Sequence, residues 1–460
     1  MKRTVSVLLS GLLLFSTASC GEKPKSEESK PESNITSQPE SSELEAPKEP
    51  ENPSDVIRLA YGYDGSPQTE MMKNWLEQSA QTWDYHGVTI ELEQIPVDGF
   101  WGGAESIQDS KKEGTAPPDI TISTSMGFST LLYGNYGSLY QPIDHYLSEY
   151  PEWEDGSFYP AAQETVQHQG KTYGVPFSMR ADGALWYRKD ILEQAGVTEF
   201  APKTWEEFLE VLKTIQTNCP DVRPIWYDNK ADFFTSLLYA NGGTWEDEKG
   251  KYLTGSKEME QALNCYCDLQ ELGIQPSSTS DASTYSFEKG NLAFEQQFSE
   301  YYVRYFMEGT SEKPEYAENL DVMAIPPREG TEASYSCGIS TECFMVSYES
   351  GNPRAAVDFI MHCMKPEYYS TAIRQSWSMS VCPEVTQSQE YQALGLKSKL
   401  TDIAAQGKTG MTMEPIKRYN CVKDMVERVV NDRMAPKDAM EQFEQDMKLY
   451  FTEDELTKEK

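Results

Sequence analysis

The chain has 460 residues, of which 25% are charged and 12% aromatic, and its formal net charge is -34. A field of that sign argues against nucleic acid as a partner and against bulk adhesion to anionic membranes. The length exceeds what one ordinary core organises, which predicts two domains.

At the N-terminus Lys2 and Arg3 precede an apolar run from Val5 to Phe15, and small residues follow up to Cys20. That is the layout of a secretory signal, with an apolar run short for a transmembrane span. Thr17-Ala18-Ser19-Cys20 resembles a lipobox, with Thr17 where leucine is usual. The resemblance implies that residues 1–20 are a signal peptide and that Cys20 becomes a diacylated, palmitate-bearing first residue. The alternative is a plain secretion signal with an incidental cysteine. No later stretch reaches eighteen uninterrupted apolar residues. The lipid is therefore the only membrane anchor expected, at the outer face of a bacterial cytoplasmic membrane. Loss of Lys2 and Arg3 takes the charge from -34 to -36. Residues 21–54 are rich in Glu, Ser, Pro and Lys, with Ile35, Leu44 and Ala46 as the apolar side chains. Such a segment reads as a disordered tether, spanning roughly 30 Å as a coil.

From Asp55 the pattern becomes that of a globular protein. "DVIRLAYGY" (55–63) reads as a buried strand. Residues 69–83 place Met72, Trp75, Leu76, Ser79 and Trp83 on one helical stripe, and "GVTIELEQIP" (87–96) alternates as a strand. Strand, helix, strand opens an α/β domain with a parallel sheet. "APPDITISTS" (116–125) adds a strand ending in polar residues, at the edge where open α/β sheets bind ligands. Two extended runs, Lys171–Pro176 and Gly183–Arg188, flank a polar break. Helices are predicted at 189–195, 204–217, 231–240, 256–272, 353–364, 419–431 and 436–451. In the last, Ala439, Met440, Phe443, Met447 and Tyr450 share a face. Thr204 with Glu207 three residues on forms a capping box. "EDEKGK" (246–251) reads as a hairpin turn around Gly250, since the oxygen spacing of a calcium loop is missing.

Nine cysteines and four histidines offer no CxxC pair and no clustered histidines, so the spacing supports no metal site, and no cofactor is called for. Cys265 and Cys267 fall on different helical faces and should not pair.

"YGVPFSMRADGALWYRKDILEQAGVTEFAPKTWEEFLEVLKTI" is similar to the signature region of family 1 extracellular solute-binding proteins, the sugar receptors of ABC importers. Further blocks follow in the family's order: "PPDI" (117–120), "YANGGTWEDEKGK" (239–251), "FEKGNLAFEQQ" (287–297), "AIPPREG" (324–330), "CGISTECFMVSY" (337–348), "AAVDFIMHCM" (355–364) and "APKDAMEQFEQDM" (435–447). The resemblance covers most of 55–450. It implies an α/β, two-lobed periplasmic-binding-protein-like fold, each lobe a mostly parallel sheet flanked by helices, joined by crossover hinge strands. Mapped onto this sequence, one lobe is 55–177 plus 341–374 and the other 178–340 plus 385–460, with hinges near Arg180, Ser340 and Ser376. It further implies a monomeric receptor that passes a carbohydrate, an oligosaccharide, to ABC permease subunits.

A sugar needs aromatic platforms for its C–H faces and short polar side chains for its hydroxyls. Family positions then select Tyr61 and Asp64 after the first strand, and Ser123, Ser125 and Met126 after "PPDI". Trp101 beside Phe100 sits on a Gly-flexed loop, and Arg180, Asp182 and Ser340 mark the hinge strands. On the second lobe the choice falls on Asp232 and Phe233 in a loop before the "ANGG" helix end, then Trp245, Glu300, Tyr301, Trp377 and Tyr419. Structural readings stand beside these: a turn for Asp64, buried packing for Phe100 and Trp101, an interlobe ion pair for Arg180 and Asp182. Glu300 stands where the family has an aromatic, and Arg188 where it has Asn. Two other functions stay open at this point: a receptor for a non-sugar solute, and an exported glycoside hydrolase built on a carboxylate pair.

Overall fold

The first predicted strand forms as β1 (Val56–Gly62), and the stripe behind it as α1 (Pro67–Thr82), which buries Met71, Met72, Trp75, Leu76 and Ser79. The computed structural model describes residues 49–96, 102–125, 133–134, 137–168, 170–227, 231–276, 284–296, 300–310, 313–333, 335–410 and 416–458. Ser66 caps α1 and Pro67 opens it, a pairing that satisfies an orphan N–H and presets the first φ. β2 (Thr89–Ile95), α2 (Gly102–Glu113) and β3 (Ile120–Thr124) complete the opening βαβ unit.

Two sheets organise everything else. The first adds β4 (Gly174–Ala181), β9 (Gly338–Val346) and β10 (Lys408–Thr409). Its order is β10-β9-β3-β1-β2, with β4 also paired to β9. The second contains β5 (Leu185–Arg188), β6 (Arg223–Trp226), β7 (Leu292–Gln296) and β8 (Leu320–Met323), in the order β6-β7-β5-β8. Both are mixed rather than mostly parallel. β9 runs antiparallel to β3 and β4, and β5 antiparallel to β7 and β8. The reason is topological: a strand arriving from the other sheet enters without the helical crossover that keeps neighbours parallel.

The two extended runs predicted around 171–188 are also redrawn. Phe177 to Ala181, assigned to the polar break, continue β4 as far as the pairing of Ala181 with Ile339. Only Asp182–Ala184 separate β4 from β5, and Gly183 lies there because a Cβ would stand 1.7 Å from Ser236 Oγ.

The helices pack on these sheets as layers, amphipathic except for α4: α3 (Trp205–Asn218), α4 (Ala231–Ala240), α5 (Lys257–Glu271), α6 (Pro353–Cys363), α7 (Pro366–Gln375), α8 (Leu396–Ala405), α9 (Ile416–Val430) and α10 (Pro436–Met447). The last stops four residues before its predicted end, so Tyr450, expected inside, is half exposed. One apolar cluster runs from Ile57 and Leu59 through Phe177 and Phe344 to Trp186, Val322 and Leu400, touching both sheets. A second fills the space between the other face of the second sheet and α3, α4, α5, α9 and α10. Trp75 anchors the first cluster, its ring 5.6 Å from both Phe177 and Phe344 and its indole N–H donating to Cys363 O at 3.1 Å. The predicted turn around Gly250 forms, with Gly250 at φ 75° and its N–H donating to Asp247 O at 2.9 Å.

Candidate functional site

The edges where β1 and β3 end, at Gly62 and Thr124, and where β6, β7 and β8 end, at Trp226, Gln296 and Met323, flank the Asp182–Ala184 crossing. Opposed carboxyl edges joined by short crossings are where an α/β protein presents loops to a ligand. Three predicted residues meet at that crossing. Arg180 donates from Nε and Nη2 to Ser340 Oγ, at 3.2 and 3.1 Å, and Ser340 Oγ donates to Asp182 Oδ1 at 3.0 Å. Arg180 and Asp182 are each 6% exposed, and the backbone N–H of Asp182 donates to Gly338 O at 2.8 Å. The hydroxyl thus relays between guanidinium and carboxylate, so neither charge is buried unpaired.

The remaining predicted residues divide. Ser123 and Ser125 are buried at the end of β3; Ser125 Oγ accepts from the backbone N–H of Thr341 at 2.9 Å, whereas Ser123 Oγ has no partner among the described residues. Asp64 is exposed and caps the turn into α1, accepting from Ser66 N and Thr69 Oγ1 at 2.9 Å each. The Ser66 side chain first, then the Ser66 N–H and the Thr69 hydroxyl, hold its carboxyl below the usual carboxylate range. Tyr61 is a core residue whose hydroxyl accepts from Gln94 Nε2 at 3.2 Å. Trp377 is half-buried, with its backbone N–H donating to Gln68 Oε1 at 3.1 Å. Tyr301 is 51% exposed, edge-on to Tyr302, with the Arg304 guanidinium 5.3 Å from its ring centroid. Tyr419 lies half-buried on α9.

Two placements correct the sequence reading. Asp232 and Phe233 belong to the first turn of α4, not to a loop. Phe233 is 0% exposed, its ring 5.5 Å from Tyr227 and 5.6 Å from Tyr266, because α4 is apolar enough to be buried nearly all round. Trp245 follows the Gly-Gly as predicted but is buried, its indole donating to Thr235 Oγ1 at 3.2 Å. Phe100, Trp101, Met126 and Cys20 lie outside the described residues, as does the side chain of Glu300, which opens the short helix Glu300–Val303.

Sequence reasoning missed a buried set beneath Tyr301. Trp186 on β5 packs against Tyr302 at 5.3 Å, and its indole nitrogen has no partner among the described residues. The Tyr302 hydroxyl donates to Glu295 on β7, and burial, followed by that carboxylate, raises its pKa. No spacing signal joins these residues; only the pairing of β5 with β7 does. Arg188 is buried and engaged with protein groups. Its Nε donates to Asp190 Oδ1 at 2.8 Å, another N–H reaches Phe287 O, and its guanidinium lies 5.6 Å from the Tyr316 ring. Burial would raise the Asp190 carboxyl, but the Arg188 hydrogen bond and charge outweigh it and lower the pKa.

Residues 65–369 match the family model described as bacterial extracellular solute-binding protein. A putative ABC transporter periplasmic-binding protein of Escherichia coli is 30% identical over 125 residues, covering 25% of this chain and 28% of that protein. The maltotriose-binding protein of Pyrococcus abyssi is 26% identical over 111 residues, 24% of this chain and 22% of that one. The chain therefore spans less than a third of the length of these sequence relatives. Among solved structures, the cyclic alpha-maltosyl-1,6-maltose binding protein of Arthrobacter globiformis superposes with a TM-score of 0.69 at 17% identity, over 86% of this chain and 98% of that one. The sugar-binding protein MalE of Xanthomonas citri gives 0.68 at 19% identity, over 85% and 95%. These likenesses establish a two-lobed periplasmic-binding-protein-like fold.

Proposed function

Since the chain belongs to the bacterial extracellular solute-binding protein family, we propose that it captures a carbohydrate, an oligosaccharide, between two lobes and delivers it to an ABC permease without chemical change. The observation that carries this reading is the junction of the two sheets. Their carboxyl edges open on either side of a crossing fastened by Arg180, Ser340 and Asp182. A cleft so built closes by rotation about the crossings and buries ligand between the lobes. The lobes follow the sequence reading, 55–177 plus 341–374 and 178–340 plus 385–460, except that residues 178–181, 338–340 and 408–409 go with the first lobe, on whose sheet β4, β9 and β10 pair. Tyr301 and Trp377 supply the platforms, and Asp64, Ser123, Ser125 and Asp232 the polar contacts. Arg180, Asp182 and Ser340 act through the hinge. The names of similar proteins, which bind maltotriose and maltosyl sugars, support the ligand class.

The receptor works as a monomer, tethered by residues 21–54 to a lipid on Cys20. Among the described residues no helix is long and apolar enough to cross a membrane.

Calorimetric titration of the mature chain with malto-, manno- and gluco-oligosaccharides, with chromatography of each mixture, tests the reading. Saturable heat with no new product is expected from at least one glycan. Products without saturable binding would make it an enzyme, and silence across the panel would make the solute something other than a sugar. Radioactive palmitate should label the wild-type chain in cells and not Cys20→Ala.

A further inference from the structure

The segment Ser376–Ser380 leaves the carboxyl end of α7 and pairs with β4 through the bridge between Met179 and Met379. Gln68 at the start of α1 holds it from outside, Nε2 donating to Ser376 Oγ and Oε1 accepting from Trp377 N, each at 3.1 Å. From below it is held by Lys397 on α8, whose side chain is 0% exposed. Lys397 Nζ donates to Ile373 O at 2.6 Å and to Ser376 O at 2.5 Å, two carbonyls where α7 ends; Ile373 O also accepts from the capping N–H of Ser376 at 3.2 Å. The Tyr391 ring centroid lies 5.9 Å away.

Among the described residues no carboxylate stands within ion-pair distance of this amine. The charged and titratable groups on the elements around it are engaged elsewhere. Arg374 of α7 bonds Glu308 and Ser370, both at 2.8 Å, and Tyr369 bonds Phe177 O at 2.6 Å. Asp321 of β8 takes Lys399 and Tyr187, and Glu164 takes Lys408 at 3.8 Å. Arg180 of β4 bonds Ser340, and the Tyr391 hydroxyl bonds Thr401 at 2.9 Å. Asp402 of α8 and the buried Cys382 thiol have no bond to Nζ. Two carbonyls match the two N–H donors of a neutral amine; a third proton adds a charge in a dry site and a donor with no acceptor.

We propose that Lys397 is a proton-sensitive clasp on the third segment crossing between the lobes: as a neutral amine it holds Ser376–Ser380 down, and proton uptake lets that segment lift. Burial alone pushes the amine from its ordinary value near 10.5 to about 7. When the segment lifts, water reaches Nζ and the ordinary proton affinity returns. Between about pH 7 and 10 the lifted state then carries one proton more than the held state, so the held state gains stability as pH rises and loses it as pH falls, levelling below about 7.

Hydrogen exchange of the Ser376–Ser380 amides in the unliganded mature chain, corrected for the intrinsic pH dependence of exchange, reads this directly. Protection should rise with pH by up to tenfold per unit above about pH 7, and Lys397→Met should flatten that slope. A flat profile in the wild type, or the same slope in Lys397→Met, overturns the proposal. The carbon-13 shift of Lys397 Cε in the lysine-labelled wild type should titrate with a midpoint near 7, and a midpoint near 10 overturns it even if the variant does not fold. The inference rests on reading 376–380 as a crossing segment. Both measurements omit ligand, so a failure to bind sugar leaves their outcome intact.

Discussion

At the scale of single residues, the same aromatic side chain is core in one place and platform in another, and only burial separates the two. Phe233 stands before "ANGG", where the family presents ligand groups, yet it is enclosed by Tyr227 and Tyr266. Trp377, at the third crossing, stays half-buried beside Gln68. Phe233→Ala should therefore lower stability by about 3–5 kcal/mol in urea unfolding, the usual cost of removing a buried ring. Trp377→Ala should leave stability within about 1 kcal/mol and weaken the bound oligosaccharide at least tenfold, about 1.4 kcal/mol, in calorimetry. If the two variants exchange these effects, their roles are exchanged. Arg188 shows why such assignments resist sequence reading. Its partner Asp190 is two residues away, but the carbonyl that fixes its guanidinium comes from Phe287, 99 residues along the chain. Hydrogen bonds of that separation leave no local pattern. By contrast Arg180, Ser340 and Asp182 were legible because family position, rather than periodicity, brought them together.

At the scale of elements, local chemistry was legible wherever the chain carries its own stop and start signals. Thr204 caps α3, its Oγ1 accepting from the Glu207 backbone N–H at 3.2 Å, as the spacing predicted. The return half of the capping box differs. The Glu207 carboxylate accepts from Lys203 N at 2.6 Å, one residue before the cap, so the motif closes on the junction rather than on the cap itself. Thr204→Ala should cost about 1 kcal/mol in urea unfolding, the ordinary worth of a cap, with sugar affinity unchanged because α3 packs into the second core away from the crossings. A loss below a few tenths of a kcal/mol would mean that the Glu207 bond alone secures the helix start. Strand direction was not legible in this way. A strand's residues record which faces are buried, and β5 is buried on both, so its sequence holds no sign of running antiparallel to β7.

At the scale of the whole molecule, the cysteines pose a question that neither spacing nor family position answers: how an exported chain keeps its thiols. All eight from Cys219 to Cys421 are unpaired, and seven of them are buried; Cys267 is half-buried. Burial pushes Cys265, Cys337, Cys363 and Cys382 to about 12 and Cys421 to about 11. The thiolate is the reacting species, so at pH 8 a thiol at about 12 is ionised in only about one molecule in 10⁴, besides being shielded from reagent. Protection is therefore a property of the fold, lost all at once when the cores open. Ellman's reagent should titrate at most Cys267 in the native mature chain at pH 8, and all eight of these thiols in denaturing urea. The late thiols should appear at the rate of global unfolding, and a bound oligosaccharide should slow them, because a ligand held by the folded state alone lowers the population that opens. Two or more thiols reacting fast in the native chain would show that one of the two cores opens independently of the other. The cysteine that reacts would identify which: Cys363 or Cys382 for the cluster shared by both sheets, Cys265 or Cys421 for the one behind the second.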